Sequence, residues 1–287
     1  MDIRTIGVCG AGAMGTGIAH VAAQSGFRVI LRDLEQARVE QAVARMDVLM
    51  RKAIAKDKLT EADRTATLER ITATTEMDAF AQADFVIEAV FEDLALKKEL
   101  FAALDRICRS GVVLATNTSS MSITEIAAAT GRPADVVGMH FFNPAQVMRL
   151  VEVIHGYQSG EAAVQTAIDV ATRMGKTPVR VRKDTPGFVV NRILMPMMVE
   201  AIRVVEEGIA TPEEVDTAIT MGLNHPMGPF TLLDFTGVDV CYNVMEYFYS
   251  EFRDPQYAPP QLIKQMIRAG RFGRKAGKGF RGDYPEA

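Results

Sequence analysis

The sequence predicts an α/β protein in which a doubly wound, mostly parallel sheet is followed by an all-helical domain. Three observations carry this. Short β-branched runs alternate with helical stretches through the first part of the chain, the pattern of βαβ units. The early strand runs are continuously apolar, as expected of strands covered on both faces. Strand signals then stop at Lys183-Asp184-Thr185-Pro186-Gly187, and the periodic segments beyond it read as helix. At about 100–200 residues per domain, a chain of 287 residues suits two: 1–183 for the sheet domain and 184–287 for the helical one.

Taken in order, the strand candidates are Ile3–Cys9, Phe27–Arg32, Phe85–Ala89, Val112–Thr116, Val136–Phe141, Leu150–Ile154 and Val179–Arg182. Between them the helical candidates are Met14–Gln24, Gln36–Ala55, Leu94–Ile107, Ile123–Ala129 and Ala162–Met174. In the second domain, Thr211-Pro212-Glu213-Glu214 combines an N-cap Thr, a Pro at the first helical position and a Glu at N3, a capping box. Gly222 is expected to close that helix. Pro226, Gly228 and Pro229 mark the start of the next, and Val238–Phe252 and Gln261–Arg268 complete the set.

Hydrophobic residues at 48% and charged residues at 24% exclude a disordered or low-complexity chain. A net charge of −4 argues against a nucleic-acid partner, so an anionic ligand must be held by a local cluster of positive groups or backbone N–H groups. Cys9, Cys108 and Cys241 are too few and too scattered for a disulfide framework or a zinc site, and no metal is expected. The most apolar stretch, Gly187 to Val205, is interrupted by Asn191–Arg192 and Arg203, which suits a buried helix and not a membrane span. No targeting pattern precedes the first strand, so a cytoplasmic protein with no membrane partner is expected.

Gly10-Ala11-Gly12-Ala13-Met14-Gly15 follows the first strand and opens a helix. The glycine pattern alone is weak, but here it stands in the context that a Rossmann-type dinucleotide site requires. The first Gly permits the tight turn, the second lets backbone approach a pyrophosphate, and the third allows close helix–strand packing. The helix N-terminus offers N–H groups and a positive dipole end to the phosphates. Asp33, at the end of the second strand, is placed to accept hydrogen bonds from the adenosine ribose, which favours NAD over NADP.

Ligands of such sheets bind outside the carboxyl ends of the strands. Two polar clusters lie there, Thr116-Asn117-Thr118-Ser119-Ser120 and His140-Phe141-Phe142-Asn143-Pro144, and Glu152 sits inside the apolar run Leu150–Ile154. A carboxylate in such a run is costly to bury unless paired. Of the four histidines, His20 reads as a packing residue within the first helix, and His155 and His225 as surface groups. His140 alone combines a strand end with a nearby buried acid. A carboxylate on one imidazole nitrogen sets the tautomer and makes the other nitrogen a stronger base, the requirement for taking a hydroxyl proton while hydride leaves the same carbon.

These residues resemble the L-3-hydroxyacyl-CoA dehydrogenase family, and within it the short-chain bacterial branch acting on 3-hydroxybutyryl-CoA. The matching stretches are Gly10–Ala19, Thr116–Ser120, Gly138–Pro144, Val147–Val153, Asp184–Arg192, His225–Pro229 and Phe272–Phe280, in the family's order along nearly the whole chain. The resemblance implies reversible NAD-dependent oxidation of an (S)-3-hydroxyacyl-CoA to the 3-oxoacyl-CoA, in fatty acid or butanoate metabolism. It implies His140 as general base with Glu152 as its partner, and contacts from Ser119, Asn143 and Asn191 to substrate oxygens or cofactor, Ser119 and Asn191 counting with the catalytic set. Cofactor contacts are implied for Glu92, Lys97 and Lys275, beside Gly10, Gly12, Ala13, Met14, Gly15 and Asp33 of the first site. A homodimer through the helical domain, which also contributes to the substrate cleft, is implied as well. The chain departs from the family at Ala145-Gln146, where a second Pro is usual, and at Leu49, where a serine often contacts CoA.

Arg38, Arg45, Lys52 and Lys56 recur along one helix face, which reads equally as a solvated face or, with the resemblance, as a docking surface for CoA phosphates in an acidic protein, with Lys52 and Lys56 as the substrate-binding pair. Arg271, Arg274, Lys275 and Lys278 form a second basic cluster that reads equally as a solvated tail. A 6-phosphogluconate-type dehydrogenase needs a lysine where this chain has Gly187. A lambda-crystallin-like L-gulonate or hydroxyacid dehydrogenase shares the layout, as does a non-catalytic dinucleotide-binding protein. The intact His140, Glu152 and Ser119 set argues against the last.

Overall fold

The structure, a computed structural model, describes residues 2–284. The chain divides after Phe188 into two compact units. In the first, β1 (Thr5–Cys9), α1 (Ala13–Gln24), β2 (Arg28–Arg32), α2 (Gln36–Ile54), α3 (Glu61–Glu69), β3 (Ile71–Thr74), β4 (Phe85–Glu88) and α4 (Leu94–Ile107) are followed by β5 (Val113–Thr116), α5 (Ile123–Ala127), β6 (Val136–Phe141), β7 (Leu150–Ile154), α6 (Glu161–Arg173) and β8 (Thr177–Val181). The eight strands form one sheet in the order β3-β2-β1-β4-β5-β6-β7-β8. Every neighbouring pair is parallel except β6 and β7. Strands β1, β4, β5 and β6 are buried along their whole length, because helices cover both faces and an apolar run suits both. The strand order reverses between β1 and β4, and in sheets of this kind that crevice is where ligands bind.

Several expectations are corrected. The stretch 57–84 holds α3 and the edge strand β3, neither of which was anticipated. α3 buries only Thr67 and β3 is half-exposed, so neither has an apolar periodicity to read. What marks α3 is a capping box of Thr60 with Asp63. The last strand runs from Thr177 to Val181 rather than from Val179 to Arg182, and contains Pro178. It is a sheet edge, where a residue without an N–H is tolerated. The unit boundary falls at Phe188, beyond residue 183, because the linker stays with the sheet: the Asp184 carboxylate accepts from Ser122 Oγ (2.7 Å) and the Thr124 amide (2.8 Å).

The second unit contains α7 (Val190–Glu206), α8 (Pro212–Leu223), α9 (Pro229–Thr236), α10 (Val238–Phe252) and α11 (Gln261–Arg268) around a core that includes Met198, Ile202, Phe230, Leu233, Met245 and Phe248. The capping box at Thr211 and Glu214 forms as the sequence implies. Gly222 does not close α8; the helix ends on Asn224 in the left-handed region, where an asparagine is tolerated. Buried Asp216 accepts the Phe230 and Thr231 amides and so caps α9 from a neighbouring helix. The end of this unit is not purely helical. A short hairpin of β9 (Lys278–Gly279) and β10 (Gly282–Asp283) is clasped by the buried Asp234 carboxylate, which accepts from the Phe280 and Arg281 amides and the Tyr284 hydroxyl. The second basic cluster is therefore folded and not a solvated tail.

Candidate active site

The glycines of the loop after β1 serve different ends. Gly10 has φ +105°, and a Cβ there would lie 2.5 Å from the Ala89 carbonyl oxygen at the end of β4. A Cβ on Gly15 would meet the Gly10 carbonyl oxygen at 1.8 Å, so the turn closes only without one. Gly12 is neither strained nor crowded; beyond its two chain neighbours, no protein atom lies within 4 Å of a Cβ built on it. The glycine keeps that space clear in front of α1, whose N-terminus has no side-chain cap. Open space beside uncapped helix amides at Ala13 and Met14 is what a pyrophosphate requires, and the site fits NAD.

Asp33 stands at one side of this cradle, its carboxylate accepting from the Ala11 amide and the Leu34 amide, each at 2.7 Å. Those bonds orient the carboxylate, and each oxygen retains a lone pair for a ligand hydroxyl. Arg32 turns elsewhere, donating from Nε to the Thr75 carbonyl at 3.0 Å.

On the other side of β1, a network that the sequence did not reveal links β4, α4 and β5. Glu88 ends the apolar strand β4 and is fully buried, like Lys97 on α4. The Glu88 carboxylate accepts from Lys97 Nζ (2.7 Å), the Val90 amide (2.7 Å) and Thr116 Oγ1 (2.6 Å). The same ammonium lies 3.3 Å from the Glu92 carboxylate, which in turn accepts from the Ser119 amide at 3.0 Å and from the Thr118 hydroxyl. Glu92 and Ser119 are thus fixed together at the carboxyl ends of β4 and β5, with Lys97 behind Glu92. The signal that would have found Glu88 was the one that found Glu152: an acid in an otherwise apolar strand.

Asn117 Oδ1 accepts the Phe141 amide at 2.8 Å and ties this segment to the end of β6. There His140 and Glu152 are opposed across the antiparallel pair, and Nδ1 of the imidazole lies 2.7 Å from Oε2 of the carboxylate. His140 is 5% exposed and Glu152 is fully buried, so the pair is shielded from water. Phe142 and Phe188 pack against the imidazole, their centroids 4.5 and 5.7 Å from its own. With Nδ1 committed to the carboxylate, Nε2 is the nitrogen available to a ligand. Asn143 lies just beyond, exposed, in the connection from β6 to β7, where its bond to Pro144 is cis.

Of the remaining candidates, Asn191 lies in the first turn of α7 and Lys275 in a turn before β9, both within the second unit. Lys275 Nζ pairs with Asp239 at 2.7 Å. On α2, Arg45 and Lys52 are exposed, while Arg38 is paired with Glu35 at 3.3 Å. Lys56 lies past the end of α2, beyond its C-cap Ala55, and so does not continue the helix face. His20 is buried, as a packing residue should be, and neither ring nitrogen has a partner. His155 is half-buried and accepts from Arg180 Nε at 3.1 Å. Among the described residues, no group of His, Cys, Asp and Glu forms a metal site and no helix is long and apolar enough to cross a membrane.

Comparison with known proteins agrees with this geometry. Residues 5–185 match the NAD binding domain of 3-hydroxyacyl-CoA dehydrogenase, and residues 187–282 match the C-terminal domain of the same family. A probable 3-hydroxybutyryl-CoA dehydrogenase of Deinococcus radiodurans is 47% identical over 274 residues, covering 96% of this chain and 98% of that one. A Bacillus subtilis protein described in the same words is 46% identical over 286 residues, covering 100% and 99%. The crystal structure of (S)-3-hydroxybutyryl-CoA dehydrogenase from Ralstonia eutropha superposes with a TM-score of 0.96 at 45% identity, over 99% of this chain and all of that one. An NAD cradle, a buried histidine–carboxylate pair and both domain matches lead to one conclusion: this chain belongs to the 3-hydroxyacyl-CoA dehydrogenase family.

Proposed function

We propose that the protein reversibly oxidises (S)-3-hydroxybutyryl-CoA to acetoacetyl-CoA with NAD. The observation that carries the reading is the 2.7 Å contact between His140 and Glu152 at the carboxyl end of β6, facing the same edge of the sheet as the glycine cradle. NAD, when bound, supplies the hydride acceptor. His140 Nε2 takes the 3-hydroxyl proton as the carbon beneath it is oxidised, and Glu152 stabilises the imidazolium that results. In the reverse direction the same nitrogen returns the proton to the forming alcohol. Burial strengthens the attraction between imidazolium and carboxylate, because little water competes for either charge. Ser119, held by Glu92, and Asn143 offer polar groups to the substrate oxygens and the cofactor.

Arg45, Lys52 and Lys56 supply positive charge for the CoA phosphates. The exposed Ile193, Met221 and Leu223 of the second unit favour a homodimer formed through that unit, since apolar side chains of this size are covered where subunits meet. The decisive experiment is steady-state reduction of acetoacetyl-CoA and longer 3-oxoacyl-CoA esters, with NADH and NADPH in parallel. Highest kcat/KM for the four-carbon ester with NADH is expected. Absence of turnover with every CoA ester would overturn the reading.

A further inference from the structure

Lys176 is a buried lysine that the chemistry above does not use. Its position follows from how α6 ends. Gly175 adopts φ +70°, its amide bonds to the Thr172 carbonyl, and the Lys176 amide bonds to the Ala171 carbonyl. That left-handed cap turns the chain sharply, so Lys176 leaves the helix directly before β8. Its side chain runs inward, and Nζ donates to the carbonyls of Ala145 (2.6 Å) and Met148 (2.8 Å). Both carbonyls belong to the connection 142–149 that joins the strand of His140 to the strand of Glu152 and carries Asn143. At its other side the connection rests on α1: a Cβ on Gly17 would lie 3.0 Å from the Ala145 Cβ and 2.7 Å from Gln146 Oε1.

An ammonium 8% exposed is costly to bury, and among the described residues no carboxylate pairs with this one. Burial alone accordingly lowers its pKa from the ordinary lysine value. A methionine or leucine would fill the same space without that cost. What the ammonium adds is a charged donor for two main-chain carbonyls, stronger and more directional than an apolar contact. We propose that Lys176 is a positioning residue, clamping the connection 142–149 between α6 and the phosphate-loop helix so that Asn143 is presented to cofactor and substrate. The proposal rests on the function proposed above for its catalytic consequence, but not for the clamp itself.

The test compares wild type with Lys176→Met, which keeps the apolar stem and loses the donors, and Lys176→Arg, which keeps donors. Hydrogen exchange of the segment 142–149 should accelerate roughly tenfold in Lys176→Met, the loss of about one charged hydrogen bond, while β6 and β7 exchange as in wild type. Its kcat/KM for acetoacetyl-CoA should fall by roughly 10²-fold, the usual effect of a small displacement near the reacting groups. KM for NADH should rise with it, and Lys176→Arg should recover part of both losses. Unchanged exchange in 142–149 would overturn the clamp. Faster exchange with unaltered kinetics would overturn the positioning role, and so would global unfolding of Lys176→Met, which would make the residue a support for the whole unit. If instead wild type turns over no CoA ester, the proposed function fails, while the exchange result still decides the clamp.

Discussion

His140 and Glu152 face each other where a run of parallel strands meets its antiparallel neighbour. Directly opposed residues on antiparallel strands hold their Cβ atoms about 4.5–5.5 Å apart, a separation that an imidazole and a carboxylate bridge with one hydrogen bond. A parallel neighbour would need a crossover of a dozen or more residues to return. The reversal at β7 is therefore what allows base and partner to come from one short stretch of chain.

Replacing that base provides the first prediction. His140→Gln should fold and bind NADH as the wild type does, with kcat lower by roughly 10²–10⁴-fold, the share of general acid–base catalysis. Glu152→Gln should lose less, since Nε2 remains in place. Turnover and NADH fluorescence titration on the two variants check this, and near-normal turnover in His140→Gln would remove it from the mechanism.

Cofactor choice should follow Asp33. Its carboxylate is oriented by the Ala11 and Leu34 amides, and a bond from a ribose hydroxyl to a charged acceptor contributes about 1.5–3 kcal/mol. The 2′-phosphate of NADP would meet the same charge. Arg32 is oriented by its bond to the Thr75 carbonyl, and its charge is the counterweight that the comparison of cofactors tests. Wild type should prefer NADH in kcat/KM, and Asp33→Ser should narrow the ratio by weakening NADH and relieving NADPH. A wild-type preference for NADPH would show that another cation governs the pocket.

Exposed charge on α2 is expected to act on binding alone. Neutralising Arg45 and Lys52 together should raise KM for the CoA ester with little change in kcat, the signature of an interaction equal in ground and transition states. The difference from wild type should shrink with added salt, because exposed charges more than about 10 Å apart are screened at 0.1 M. An unaltered KM would leave these residues as a solvated face.

A pH effect on stability should originate at His20. Burial lowers its pKa from the ordinary histidine value of 6.5, so the folded chain resists a proton that the unfolded chain accepts. Stability from this group is complete above that value and is lost as pH falls through it, with a slope of at most about 1.4 kcal/mol per pH unit. His20→Met, of similar volume and apolar, should lose less stability than wild type between about pH 7.5 and pH 5.5. Parallel urea midpoints for the two proteins across that interval would place the acid sensitivity elsewhere.

Much of this was legible in the sequence, and the limits have physical reasons. β6, β7, α4, α10 and α11 begin and end at the expected residues, because their apolar runs and periodic faces are strong. α3 and β3 bury too little to announce themselves. In the site, His140 and Glu152 were readable as a pair because a single short connection joins two apolar strands. The link from Glu88 through Lys97 to Glu92 was not, since it depends on where α4 packs against β4. Lys176 escaped for a related reason: a lysine after a glycine at a helix end looks solvated, and only the tertiary path of the connection 142–149 shows that it is enclosed.

The clasp of Asp234 on the end of the chain has a consequence for how the second unit is put together. Its carboxylate has little exposure and receives three donors, all from residues 280–284. Gly279 is needed beside it, since a Cβ there would lie 2.2 Å from Oδ1. The final hairpin is thus held as a receptor holds a peptide, by a buried anion with a shaped recess, and the chain that leads into it serves as a tether. Cutting that tether would raise the entropy cost of assembly without removing a single contact. The helical unit is in this sense a complex of two pieces that happen to be synthesised together.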